Sequence, residues 1–109
     1  MALDDSSFAR LADGMLDRLL AGIEDACPDA DVELEGGILT VELPGGGEYV
    51  LNKHAPLKQL WLSSPISGAW HFAYDEAKAE WRSTRGPETL ARVLAGELSA
   101  ATGAPVALD

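Results

Sequence analysis

The stretch from Asn52 to Gly68, NKHAPLKQLWLSSPISG, sets Trp61 in the middle of a short apolar run hemmed in by polar residues. In an extended strand, side chains at i and i+2 share a face. Gln59–Ser63 therefore divides into Leu60 and Leu62 on one side and Trp61 and Ser63 on the other. The same parity separates Tyr49 and Leu51 of EYVLNKH from Asn52 and His54, and separates Phe72 and Tyr74 of WHFAY from His71 and Ala73. If the leucines face a core, the opposite face carries Asn52, His54, Trp61, Ser63 and His71. Such a face has the character of a contact surface, because tryptophan is enriched among the anchors of protein interfaces. An offset strand or a covering loop would instead make Trp61 peripheral core. Trp70 and Trp81 read as core or edge packing.

Outward from this stretch the hydrophobic period changes. Phe8, Leu11, Met15, Leu19, Ile23 and Ala26 recur at helical spacing, which predicts an amphipathic helix capped by Asp4, Asp5 or Ser6 and stopped at Cys27-Pro28. The period then falls to 2. Val32–Glu35, the Gly36-Gly37 turn and Ile38–Leu43 predict a hairpin, since paired glycines supply the positive φ angles of a tight turn. Strands are expected over 48–54, 59–63, 70–74 and 80–83, and a second helix from Gly86-Pro87-Glu88 to Gly103. Helix, five or six strands, helix is an α+β arrangement. We expect a two-layer α-β sandwich with the N- and C-terminal helices on one face of a five- to six-stranded antiparallel sheet, one domain over residues 1–109, and the other sheet face open to water.

The chain has 109 residues, of which 47% are apolar, enough for one core without a disulfide. No run of about 18 apolar residues is present, and the N-terminus MALDDSSFARLAD is acidic where a targeting segment would be basic. The expected setting is the bacterial cytoplasm, with no membrane association. The lone Cys27 excludes an internal disulfide and a cysteine-based zinc or iron–sulfur ligand set, and reads as a small residue near a helix end. Net charge is −10, and all of the excess lies before residue 49. That field repels phosphate backbones, so nucleic acid is not expected as a partner.

The acids are concentrated where they cost stability. A helix C-terminus carries partial negative charge, so each carboxylate there costs about 0.3–1 kcal/mol, yet Glu24 and Asp25 fall in the last turn and Asp29, Asp31, Glu33 and Glu35 follow. Asp13 and Asp17 continue the same helix face. A solvated, solubilising face is the plain reading, and a retained functional site is the other. As hard oxygen donors these carboxylates suit Ca²⁺, Mg²⁺, Mn²⁺ or iron. The run at 29–35 is no EF-hand loop, so open, weak, salt-sensitive binding is expected.

With the acidic helix and the hairpin GGILTVEL before it, the segment NKHAPLKQLWLSSPISG resembles the frataxin family, bacterial CyaY proteins included. The resemblance runs from about Phe8 to Gly103 and is most specific at Asn52-Lys53, Pro56, Gln59, Trp61–Pro65, Ser67-Gly68 and HFAY. It implies the sandwich above and an accessory, regulatory role in iron–sulfur cluster assembly, without chemistry of its own. It further implies weak binding of Fe²⁺ and Fe³⁺ at positions matching Asp17, Glu24, Asp25, Asp29, Asp31, Glu33 and Glu35, and docking on the cysteine desulfurase and scaffold protein through the ridge and the face around Asn52 and Trp61. The apo protein is expected to be a monomer. His54 and His71 depart from the Gln and Arg common at those positions, adding a pH response near 6.5 or a nitrogen ligand for iron as expectations. Iron storage or ferroxidase activity through oligomerisation is the alternative. A single-stranded RNA binder fits the face but not the charge. No nucleophile elbow or phosphate loop marks an enzyme.

Overall fold

A computed structural model describes residues 3–108. Helix α1 spans Asp5–Ala26, and Asp4 caps it by accepting the Ser7 N–H at 2.7 Å. Its buried stripe is Phe8, Ala12, Met15, Leu16, Leu19 and Ile23, and it ends where the Cys27 N–H reaches the Ile23 carbonyl, one residue before Pro28. Six strands follow as a meander in the spatial order of the chain: β1 Asp31–Glu35, β2 Ile38–Glu42, β3 Glu48–His54, β4 Gln59–Ser64, β5 Gly68–Asp75 and β6 Glu80–Ser83, each antiparallel to the next. The β1–β2 turn is the two-residue Gly36-Gly37, with φ of 62° and 78°, and it pairs Glu35 with Ile38 and hence Asp31 with Glu42.

Helix α2 spans Leu90–Thr102. It starts later than the Gly86-Pro87-Glu88 expected from sequence, because Thr89 is the cap. Its backbone is extended, its Oγ1 accepts the Arg92 N–H at 3.4 Å, and it bridges to Arg82 of β6. Residues 86–88 are therefore the connection, tied to β6 by the Ser83 N–H donating to the Glu88 carbonyl. Gly103 closes the helix at φ 72°.

Strand alternation places the core. Leu39 and Val41, Tyr49 and Leu51, Leu60 and Leu62, Phe72, and Trp81 are buried with the α1 stripe and with Leu90, Leu94 and Leu98 of α2. Both helices therefore bury their stripes on one face of the sheet, as the expected sandwich requires. Trp81 is core, edge-on to Phe8 and Tyr74, and half-buried Trp70 stacks on Phe72 at 5.8 Å.

A polar cluster joins α2 to the sheet. The Glu97 carboxylate accepts the hydroxyls of Tyr49 at 2.9 Å, Ser64 at 2.6 Å and Ser67 at 2.5 Å. Ser64 Oγ in turn accepts the N–H groups of Ile66 and Ser67, and Trp70 Nε1 donates to Ser67 Oγ at 2.8 Å. The SSPISG turn is thus held by one side chain of the last helix. Burial first, then the Glu97 hydrogen bond and charge, push the Tyr49 hydroxyl up to about 12. The unfolded chain ionises this group near pH 10, so its contribution to stability is complete below about pH 10 and is lost as pH rises towards 12. Denaturant unfolding at stepped pH should show this fall in the parent and a flatter profile over the same window in Tyr49→Phe.

Candidate functional site

The sheet face away from the helices is open, and its side chains form rows across the strands. One row runs Glu35, Ile38, Asn52, Trp61, His71 through the pairs 35–38, 38–52, 52–61 and 61–71. The outward parity expected for Asn52, His54, Trp61, Ser63 and His71 is the parity observed. Trp61, however, is only half exposed. His54 lies parallel to it at 3.8 Å and His71 at 4.3 Å, and since β4 runs between β3 and β5 the two imidazoles cover opposite faces of the indole. The indole N–H is taken by Gln59 Oε1 at 2.9 Å. Trp61 is therefore a held, edge-presenting ring rather than a free one, and Ile38, 44% exposed, extends its row with apolar surface. Ser63 is fully open, and Asn52 ties its amide to the Lys53 carbonyl at 3.2 Å.

The same sandwich bears on the two histidines as metal ligands. A metal–nitrogen bond is about 2 Å, so rings separated by a whole indole cannot share one ion. His54 is further committed, because its Nδ1 accepts the Leu57 N–H at 3.3 Å and caps the short 3₁₀ turn Ala55–Leu57. Only its Nε2 is left for a partner.

The expected iron positions Asp17, Glu24, Asp25, Asp29, Asp31, Glu33 and Glu35 are all exposed, and none has a cation within 4.0 Å among the described residues. Asp17, Glu24 and Asp25 lie along the outer side of α1, whose last turn carries no basic residue. Asp31, Glu33 and Glu35 alternate along β1, with Val32 and Leu34 packed against the core between them. Asp13, on the same helix face but outside that set, is held by Lys53 Nζ at 2.7 Å, which ties β3 to α1. Among the described residues, no group of three or more His, Cys, Asp or Glu side chains converges to hold a metal. The donors suit a hard cation, but they stand apart.

Two carboxylates were missed from sequence. Glu42 pairs with Asp31 and Glu48 pairs with Glu42, so three acids from three strands stand side by side across the sheet. Like charges directly opposite destabilise a sheet. The signal was available: a two-residue turn at Gly36-Gly37 dictates that 31 faces 42. Cys27 is buried, and that burial raises its thiol pKa, which keeps it an inert thiol.

Removing the Trp61 ring deletes two stacked contacts, each worth about 0.5–1.5 kcal/mol. Trp61→Ala should cost about 1–3 kcal/mol in denaturant unfolding, at most the lower end of the roughly 3–5 kcal/mol of a buried aromatic truncation, with the native circular dichroism retained.

A family model for a frataxin-like domain matches residues 1–104. A mitochondrial frataxin homolog of Schizosaccharomyces pombe is 40% identical over 103 residues, covering 90% of this chain and 65% of the relative. The iron-sulfur cluster assembly protein CyaY of Pseudomonas fluorescens is 35% identical over 109 residues, covering 100% of this chain and 98% of the relative. Trimeric frataxin from Saccharomyces cerevisiae, complexed with ferrous, aligns with a TM-score of 0.74 at 38% identity over 94% of this chain and 89% of that one. With two helices on a six-stranded antiparallel sheet and a match along nearly its whole length, the chain belongs to the frataxin family.

Proposed function

We propose that this chain is an accessory protein of iron–sulfur cluster assembly that binds Fe²⁺ or Fe³⁺ weakly as cargo and docks on the cysteine desulfurase and its scaffold protein. The observation that carries the reading is the set of seven exposed, unpaired carboxylates from Asp17 to Glu35, joined by Glu42 and Glu48 and continuous with the Trp61 face. The name of the Pseudomonas fluorescens relative supports the assembly role, and the ferrous complex of the yeast relative supports the ion. Separated carboxylates gain from a cation chiefly by relief of their mutual repulsion, so affinity is low and falls with salt. A basic patch on a protein relieves the same repulsion. Docking and iron binding therefore compete for, or share, one electrostatic surface, while the edge of the held indole and Ile38 supply apolar contact.

The second reading is iron storage or ferroxidase activity through oligomerisation, which the trimeric state of the yeast relative favours. Oxidising iron needs ligands held in fixed geometry, and the open spacing of the carboxylates argues for the accessory role. Oxygen-consumption rates with and without the protein, at equal iron, separate the two. Binding without accelerated oxygen uptake supports the first.

Under anaerobic conditions, Fe²⁺ titration should broaden or shift the amide signals of residues 17–35 first, followed by Glu42 and Glu48. Perturbation confined to His54 and His71 would reject the ridge. The combined substitution Glu24→Gln, Asp25→Asn, Asp29→Asn, Asp31→Asn removes no side-chain hydrogen bond or ion pair among the described residues. It should raise stability by about 1 kcal/mol, roughly 5 °C in melting temperature, while weakening binding to the desulfurase. A lower melting temperature would contradict the repulsion argument.

A further inference from the structure

On the helix side of the molecule, far in chemistry from the ridge, α1, the β5–β6 turn and the start of α2 border a half-open cavity of about 310 Å³. Arg18, Lys78 and Arg92 line it, and none of them has a carboxylate within 4.0 Å among the described residues. In a chain with 18 Asp and Glu against 8 Lys and Arg, three cations around one hollow, without an ion pair among the described residues, run against the prevailing charge. Glu80 also lines the cavity, but its carboxylate is engaged by Arg82 at 3.1 Å.

Local structure positions each cation. Arg18 lies back over its own helix with Nη2 3.6 Å from Met15 Sδ, one turn away on the cavity wall. Asp75 Oδ1 accepts the N–H groups of Ala77 and Lys78, which fixes the turn and sets Lys78 at the rim. Thr89 caps α2 and places Arg92 in its first turn, where the exposed N–H groups of a helix start also favour negative charge. Met15, Leu108 and Trp81, which is only 2% exposed, supply apolar wall, and Thr89 adds a polar side chain. Low-dielectric walls strengthen charge–charge attraction, and the volume matches the small end of ligand sites.

We infer that this cavity binds a compact polyanion, a small molecule carrying two or three carboxylate or phosphate groups, between Arg18, Lys78 and Arg92. The two guanidinium groups supply planar paired donors and the ammonium a point charge. The site is independent of the ridge and stands whether or not the ridge binds iron.

Metal-free protein titrated with citrate and with pyrophosphate, against sodium chloride at matched ionic strength, tests this. The expected result is saturable shifts at the amides of Arg18, residues 78–81 and residues 90–92, a melting temperature raised by about 5 °C or more at tenfold excess over the dissociation constant, and affinity reduced about tenfold or more in Arg18→Gln/Lys78→Gln. Lys78→Gln alone, on an exposed turn, serves if the double variant fails to fold, with the same direction of loss. Response to citrate alone assigns carboxylates, to pyrophosphate alone phosphates, and to both the shared chemistry. Shifts no larger than those of chloride, or unchanged affinity in the variants, would overturn the site.

Discussion

Leu60 and Leu62 are sealed in the core beneath the helices, and their parity obliges the residue between them to turn the other way. Strand β4 is central, so its neighbours inherit that parity through the ladder, and Asn52 and His71 rise beside Trp61. A large aromatic ring standing on an otherwise open sheet would be costly and mobile. Here the imidazoles on either side and the Gln59 amide fix it, leaving an edge for recognition. The core thus dictates which side chains stand on the open face.

Charge follows a different logic. β1 is one of the two edge strands, with backbone groups unpaired on its outer side, and an exposed edge invites a second chain to add. Asp31, Glu33 and Glu35 on that edge, beside Glu24 and Asp25 at the end of α1, oppose association with another copy of the same acidic surface. The carboxylates that weaken the folded chain therefore also guard that edge. Lys53 is the exception, spent within the fold to hold Asp13, and its Cε lies where a side chain at Gly37 would begin.

Much of this was legible in the sequence because strands impose a period of 2 and glycine pairs impose register. The strands 48–54 and 80–83 fall where they were expected, and β4 and β5 extend the expected runs by one to three residues. Other features were missed, each for a physical reason. Glu42 and Glu48 were read with their chain neighbours rather than across the ladder, where Asp31 meets them. The start of α2 was placed at a Gly-Pro-Glu that resembles a first turn, whereas the Thr89 hydroxyl wins the capping competition. The imidazole–indole stack depends on side-chain torsions that parity does not determine: facing the same way was readable, lying parallel was not.

Glu97 brings together residues far apart in sequence, and no local pattern announces it. Because one carboxylate holds β3, the end of β4 and the turn before β5, α2 cannot peel away without freeing Ser64, Ser67 and Tyr49 in the same event. The last helix and the SSPISG turn consequently form one cooperative opening unit, and amide protons of the two segments exchange with solvent water through a shared fluctuation rather than separately.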